Sequence, residues 1–486
     1  MEEQILIISK NIMLKRLFLC IVFVLPCFLL YAPSMENDTY WLINTGKYIM
    51  NNGLPTMEPF TIHSGLAFNA QQWLAEVIFY KAYDLFGEFG IHFIDITVYL
   101  ILCVIIYRLT LLISLNNKLI QVSVSVFSCI FLSFYIVPRP QIFSIIIFAL
   151  VILLLELYIK NKSKIILICL PVLSVLLVNL HSAMWIFLFL IYIPYIIDGI
   201  KFKLWKIETQ GYKISSLITV SLISIAVGLI NPYGYKNMLY VIYSYGNKMV
   251  NSSINEMQSP DFKGAFGVIV FGLLLVFVLI HVMVNGKTRL RYALITIGTI
   301  YMGLSSVRSL ALFFACSLPF LAYYLKEVNF TSGIALEAKK RAVIAFAIVA
   351  VLVAAVFLKK YDYTDSMNEF RPIGAVEFIK KNVQVDKMRL YNDYNTGGYI
   401  EFEGLKTFID SRAEIFLKSL NKKDDIILDY INMRKGSLYY KKFISKYGFT
   451  HYLMSKSDPL YVFLKEDNNY KKVYEDKEFV VYKNLY

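Results

Sequence analysis

The chain has 486 residues, 57% of them hydrophobic and 17% charged, with a formal net charge of +14. So much apolar surface exceeds what a soluble domain buries beneath a polar exterior, and the excess must face lipid. The basic residues sit in short loops between apolar runs, without aromatic interleaving on a soluble face, which fits a membrane surface and excludes nucleic acid as a partner.

In chain order, Lys10, Lys15 and Arg16 precede a first apolar run at 17–32. The run resembles a secretory signal but ends in Leu-Tyr-Ala-Pro, without a small residue three before a cleavage point, and reads as an uncleaved first helix. Further runs predict spans near 91–113, 119–137, 142–159, 165–180, 185–200, 214–230, 268–284, 292–307, 310–325 and 342–358. Several fall short of the ~20 residues a simple span needs, so tilted, broken or partly re-entrant helices are expected among them. The expected fold is mainly α: a polytopic transmembrane helix bundle of about eleven spans over residues 1–358, then a small α/β soluble domain at 359–486.

With the N-terminus inside, alternation puts 18 Lys and Arg on the inner side, in groups such as Lys160/Lys162/Lys164 and Lys287/Arg289/Arg291, against 7 outside. That asymmetry follows the positive-inside rule and places the C-terminal domain outside the cytoplasm, although Lys359 and Lys360 just after the last span run against it. The first outer loop, residues 33–90, has helical apolar spacing at 39–50 and 73–86, with Trp41, Tyr48, Trp73 and Tyr80 suited to the interface. Both segments read as helices lying on the membrane. In the tail, Pro372 opens a helix over 371–382 and 423–447 reads as a helical pair. Short strands are expected at 388–391, 399–402, 407–409, 450–454 and 479–482, with Gly397-Gly398 as a turn.

The unusual polar clusters fall almost entirely on the outer side: Glu36-Asn37-Asp38, Pro138-Arg139-Pro140-Gln141, Asn179-Leu180-His181-Ser182, Asn231-Pro232-Tyr233-Gly234, Glu256 and Arg308. Plain connectors have no reason to concentrate such residues on one face, so a site at the outer membrane boundary is expected. Asp38 reads as a general base or, with Glu36, as a ligand to a divalent metal; a solvated loop acid is the bland alternative. Arg139 and Arg308 have the planar fork that grips a phosphate, and interfacial arginines also snorkel to headgroups without further role. His181 and Glu256 are candidates for proton transfer, set against ordinary structural hydrogen bonds. The six cysteines all lie in or beside apolar runs, without metal or disulfide spacing. No P-loop, His-Glu-x-x-His or nucleophile elbow is present in the sequence.

The stretch Asp38-Thr-Tyr-Trp41, Gly53-Leu-Pro55, Glu58-Pro-Phe60 and Trp73-Leu-Ala-Glu76 resembles the first extracytoplasmic loop of bacterial GT-C-type glycosyltransferases. That superfamily includes protein O-mannosyltransferases, oligosaccharyltransferases and the enzyme that adds aminoarabinose to lipid A. Arg139-Pro-Gln141, Asn179-Leu-His181, Asn231-Pro-Tyr-Gly234, Asn392–Tyr399 and Phe408-Ile-Asp-Ser-Arg412 resemble a less characterised bacterial branch. The resemblance implies a transferase using a polyprenyl-phosphate sugar, with the catalytic carboxylate at Asp38 and a glycan, lipid or protein as acceptor. On that reading Glu36, Arg139, Gln141 and Arg308 bind substrate, and Asp38, His181 and Glu256 serve the chemistry. The chain departs from the pattern in having Glu36-Asn37-Asp38 in place of Asp-x-Asp, and Arg139 and Gln141 where many members carry a second acid, which leaves metal dependence open. A polysaccharide polymerase or ligase is the next reading, then a transporter or non-catalytic assembly subunit. A transporter would place ionisable residues near the midplane, and Asp95, Arg108 and Glu156 fall nearer span ends.

Overall fold

A computed structural model of the chain describes residues 35–114, 118–204, 206–244, 248–252, 254–283, 288–326 and 371–486. The expected spans at 17–32 and 342–358 lie outside them. The other nine runs are all helical: α3 (Glu88–Ile113), α4 (Lys118–Ser133), α5 (Gln141–Asn161), α6 (Ile165–Leu180), α7 (Phe187–Asp198), α8 (Ser215–Val227), α9 (Ala265–Met283), α10 (Leu290–Ser305) and a broken helix made of α11 (Leu310–Cys316) and α12 (Leu321–Lys326). Ahead of them come α1 (Asn37–Asn52) and α2 (Trp73–Phe86). By length and composition three segments are fit to cross a membrane, Glu88–Ile113, Gln141–Asn161 and Val307–Leu325; several other apolar helices are shorter.

Lipid exposure is written on the helix surfaces. α6 buries Leu170, Ser174 and Leu177 and leaves Ile165, Ile168, Val172 and Leu176 exposed along one stripe. A helix apolar on both its packed and its open face is at home only in hydrocarbon. Leu222 on α8, Val268 on α9 and Ile297 on α10 are likewise exposed.

Arg291 departs from the expectation of a solvated inner loop. Its guanidinium is 4% exposed and donates through Nε and Nη2 to Glu156 (2.7 and 3.0 Å) and through Nη1 to Asp198 (2.6 Å) and Gln210 (2.9 Å). Tyr195 and Tyr292 donate to the same Glu156 carboxylate. A buried cation with all its donors paired locks α5, α7 and α10 at this end of the bundle. Sequence shows a basic residue at the edge of an apolar run, and that pattern fits a loop as well as a lock.

Helix α1 does not lie free on a surface. Thr39 to Ile43, Thr45 and Gly46 are buried between α2 and the tail helix α14 (Gly397–Phe402). Gly46 makes the α1–α2 approach feasible, since a Cβ there would sit 2.1 Å from the Glu76 carbonyl oxygen.

The tail begins with α13 (Ile373–Asn382) and builds a four-stranded sheet from β1 (Leu390–Asn392), β2 (His451–Ser455), β3 (Tyr470–Glu475) and β4 (Phe479–Asn484), in the order β1-β2-β4-β3. The β1–β2 pair is parallel and the other two are antiparallel. Helices α15 (Ile426–Arg434), α16 (Tyr440–Tyr447) and α17 (Pro459–Glu466) complete it. The α/β character and the helical pair agree with expectation. Residues 399–402 do not form a strand but belong to α14, because four residues of mixed polarity cannot distinguish the two periods. Gly397 and Gly398 form no turn. They let α14 approach closely, and Cβ atoms there would lie 2.2 Å from Ile409 O and 2.6 Å from Asn37 O. Segment 407–409 is extended without joining the sheet: Thr407 bridges to Thr61, while Asn392 Oδ1 accepts from Phe408 N (2.8 Å) and its amide donates to Ile409 O (2.7 Å).

Candidate functional site

At the start of α1, Glu36 is extended and its carbonyl accepts from Thr39 N (3.1 Å), so the helix begins with Asp38 in its first turn, where the helix dipole favours a carboxylate. Trp41 Nε1, one turn on, donates to Asp38 Oδ1 (3.4 Å). Thr39 Oγ1 donates to Pro138 O (3.3 Å), which ties this turn to the segment before α5. There Arg139 stands between Pro138 and Pro140, whose rings restrict the backbone on both sides.

Three carboxylates meet at the Arg139 guanidinium. Nε lies 2.9 Å from Glu36 Oε2 and 3.1 Å from Asp38 Oδ2, and Nη1 donates to Glu256 at 2.7 and 2.9 Å. Glu256 comes from the short turn 255–257, held by Ser306 Oγ donating to its carbonyl (2.9 Å) and by Val307 N donating to Gln258 O (2.9 Å). Those contacts bring Arg308 alongside, where its Nε donates to Gln141 Oε1 (2.7 Å) at the head of α5. Withdrawal from solvent pushes the Glu36 carboxyl above the usual range; Arg139 opposes the shift, and Asp38 and Glu256 add to it.

The cluster opens on a cavity of about 1390 Å³ between the helix ends and the tail, lined by Glu36, Asp38, Arg139, Glu256, Arg308 and Arg371 on one side. Asp393, Tyr430, Arg434, Lys435, Ser455 and Lys456 line the other. Arg434 bridges Asp393 (3.5 Å) and Asp458. Burial, and then the Asp458 charge, push the Asp393 carboxyl well above its ordinary value. Asp393, Asp458 and Arg434 thus neutralise one another, whereas Arg308 and Arg371 have no carboxylate partner among the described residues. Arg371 Nη1 reaches Tyr40 OH at 3.3 Å, and its buried Nε has no partner among the described residues.

The tail also touches Asp38 directly. Ser411 Oγ donates to Asp38 Oδ1 at 2.5 Å, across 373 positions of sequence. Its neighbours fix it: Asp410 and Arg412 belong to a buried cluster in which Arg412 Nη2 meets Asp410 (2.5 Å), Glu58 (3.1 Å) and Glu401 (3.2 Å). Glu58 comes from the first loop, so this cluster clasps loop and tail together behind the site.

Of the residues singled out from sequence, Glu36, Asp38, Arg139 and Glu256 stand in mutual contact, and Arg308 and Gln141 pair beside them. His181 stands apart: its Nδ1 is 2.7 Å from Ser144 Oγ, it is buried, and it does not line the cavity. Sequence reasoning did not reach Ser411, Arg371 or Arg434. The stretch 408–412 stands out only by resemblance, and nothing local distinguishes Arg371 from other tail cations.

A divalent metal at Glu36 and Asp38 does not fit this donor set. Their oxygens, with those of Glu256, are directed to a permanently charged guanidinium that stands where an ion would, and no group of three or more His, Cys, Asp or Glu is placed to hold one among the described residues.

Helix-bundle ends roofed by an α/β tail, with a carboxylate in the first turn of α1, make up the fold. Two solved structures share it: the oligosaccharyltransferase of Archaeoglobus fulgidus tethered to an acceptor peptide containing an NVT sequon, and the same organism's oligosaccharyltransferase AglB with an inhibitory peptide and a dolichol-phosphate. The first has a TM-score of 0.56 at 12% identity over 89% of this chain and 68% of that one. The second has a TM-score of 0.55 at 12% identity over 91% and 70%. These likenesses establish the fold. No family model and no curated protein matches the sequence.

Proposed function

We propose that this protein moves a sugar from a polyprenyl-phosphate donor to a glycan, lipid or protein acceptor at the outer face of the cytoplasmic membrane, as a multi-pass enzyme of the bacterial branch its loops resemble. The observation that carries this reading is the Asp38 carboxylate, held by Ser411, Trp41 and Arg139 on the wall of a cavity where the helix ends meet the tail. An acceptor hydroxyl placed there gives its proton to Asp38 while its oxygen bonds to the anomeric carbon. The bond from that carbon to the phosphate oxygen breaks, and the electron pair stays on the phosphate. Arg308 and Arg371, cavity-lining cations without carboxylate partners among the described residues, suit that growing charge. His181, satisfied by Ser144 away from the cavity, fits a packing role better than proton transfer. The Archaeoglobus neighbour bound to dolichol-phosphate supports a lipid-phosphate donor.

Purified protein in liposomes, given a panel of labelled polyprenyl-phosphate sugars, should consume one of them and release the lipid phosphate. Failure to turn over any of them removes the reading. The topology has its own check: a reporter active only in the cytoplasm, fused after Tyr486, should stay silent, and strong activity would put the tail on the wrong side.

A further inference from the structure

Three carboxylates from two separate segments share one cation here, and the backbone around that cation is unusually constrained. Arg139 lies between two prolines; its N–H donates to Val137 O (2.6 Å), and its carbonyl accepts from Ile142 N (3.1 Å) at the head of α5. Its guanidinium is 18% exposed, Glu36 and Asp38 about as much, and Glu256 46%. A guanidinium cannot lose its proton in a protein, and its fork offers several donors in one plane. A divalent ion held by oxygens needs them at about 2.0–2.6 Å, and a second cation at the same point would repel Arg139 and cost its charge-assisted hydrogen bonds.

We propose that Arg139 is the resident cation of this site, doing for Glu36, Asp38 and Glu256 what a divalent ion would do, and that it positions Asp38 rather than gripping the donor phosphate. This deepens the transferase reading and predicts a metal-independent enzyme. The Arg139 charge draws Asp38 Oδ2 to 3.1 Å from Nε, whose own N–H goes to Glu36, while Ser411 Oγ donates to Oδ1, so the carboxylate is held from both sides before substrate arrives. Glu36 and Glu256 hold the guanidinium from moving toward solvent.

The test has a binding arm and a kinetic arm. Mn2+ alone is titrated by EPR into full-length wild type, Glu256→Gln, Arg139→Gln and the Arg139→Gln/Glu256→Gln double variant. Wild type should show no Mn2+ binding that depends on Glu256. Arg139→Gln should gain one site about a hundredfold tighter than anything in wild type, lost again in the double variant. In the kinetic arm, chelator should change wild-type transfer by less than about twofold, and Arg139→Gln should lower kcat with little change in donor KM. Wild-type Mn2+ binding that Glu256→Gln abolishes would overturn the proposal, as would transfer lost to chelator and restored by Mn2+ or Mg2+. A folded Arg139→Gln protein that gains no site would overturn it too, since the three carboxylates would then not converge. If Arg139→Gln does not fold, wild type and Glu256→Gln still decide the matter. If no sugar donor is consumed at all, the transferase reading fails while the Mn2+ titration stands on its own.

Discussion

Arg139, just before α5, and Arg291, packed against its far end, both gather several carboxylates, yet only the first faces open space. The 15 residues from Gln141 to Glu156 separate the two ends by about 22 Å of helix. Around Arg291 every guanidinium donor finds a partner, and the side chains of Arg291, Glu156 and Asp198 are only 0–6% exposed. Around Arg139 the carboxylates are a fifth to a half exposed and form the wall of a large cavity. The same ionic chemistry makes a structural lock in one place and a poised site in the other, and access to solvent is what separates them. A third cluster, at Arg412, is as dry as the first lock but stands directly behind Ser411, so its work is to hold the site's roof in place.

Substitutions that belong to one cluster and not another separate their roles. The largest of these effects is expected for Ser411→Ala. Hydrogen bonds to charged groups contribute about 1.5–3 kcal/mol, so kcat should fall about 10- to 100-fold with donor KM little changed. Ser411→Thr should restore most of it, and a change confined to KM would instead make Ser411 a substrate contact. Arg308→Lys keeps the charge but loses the fork, and should raise donor KM about tenfold with a smaller effect on kcat. An unchanged donor KM would return Arg308 to a headgroup contact.

The smallest effect concerns stability. Glu76, buried on α2 with its Oε2 unpartnered, has its carboxyl pushed up by burial from 4.5 to about 8. Its folded pKa lies above the unfolded one, so the folded state keeps a proton that the unfolded chain releases, and stability falls as pH rises from about 4.5 to about 8. Glu76→Gln removes that linkage, so its stabilising effect should be almost absent at pH 4.5 and grow steadily towards pH 8. Equal melting shifts at both pH values would contradict the assignment.

Much of this organisation is legible in the sequence because apolar runs and the side of each loop are local properties. Counting spans put Glu36, Asp38, Arg139, Glu256 and Arg308 on one face, and the structure gathers them at one cavity. Long-range partners leave no such trace. Ser411 reaches Asp38 only because Gly397 and Gly398 let α14 settle against α1, and those glycines read locally as a turn. Arg291 and the solvated loop lysines look alike beside an apolar run, and only the positions of Glu156 and Asp198 on other helices tell them apart. Residues 399–402 were too few for periodicity to decide between strand and helix.

Whether the open cluster does chemistry and the closed one does not can be decided by one paired measurement. Asp38→Asn and Asp198→Asn make the same carboxylate-to-amide change in the two clusters, and each folded protein is assayed for sugar transfer and for melting. Asp38→Asn should lose about 10²–10⁴-fold in turnover, the usual cost of removing a general base, while melting within about 2 °C of wild type. Asp198→Asn should turn over at the wild-type rate per folded molecule but lose about 3–5 kcal/mol of stability, because Arg291 is left partly uncompensated. Near-normal transfer by Asp38→Asn would contradict the account and remove that carboxylate from the mechanism.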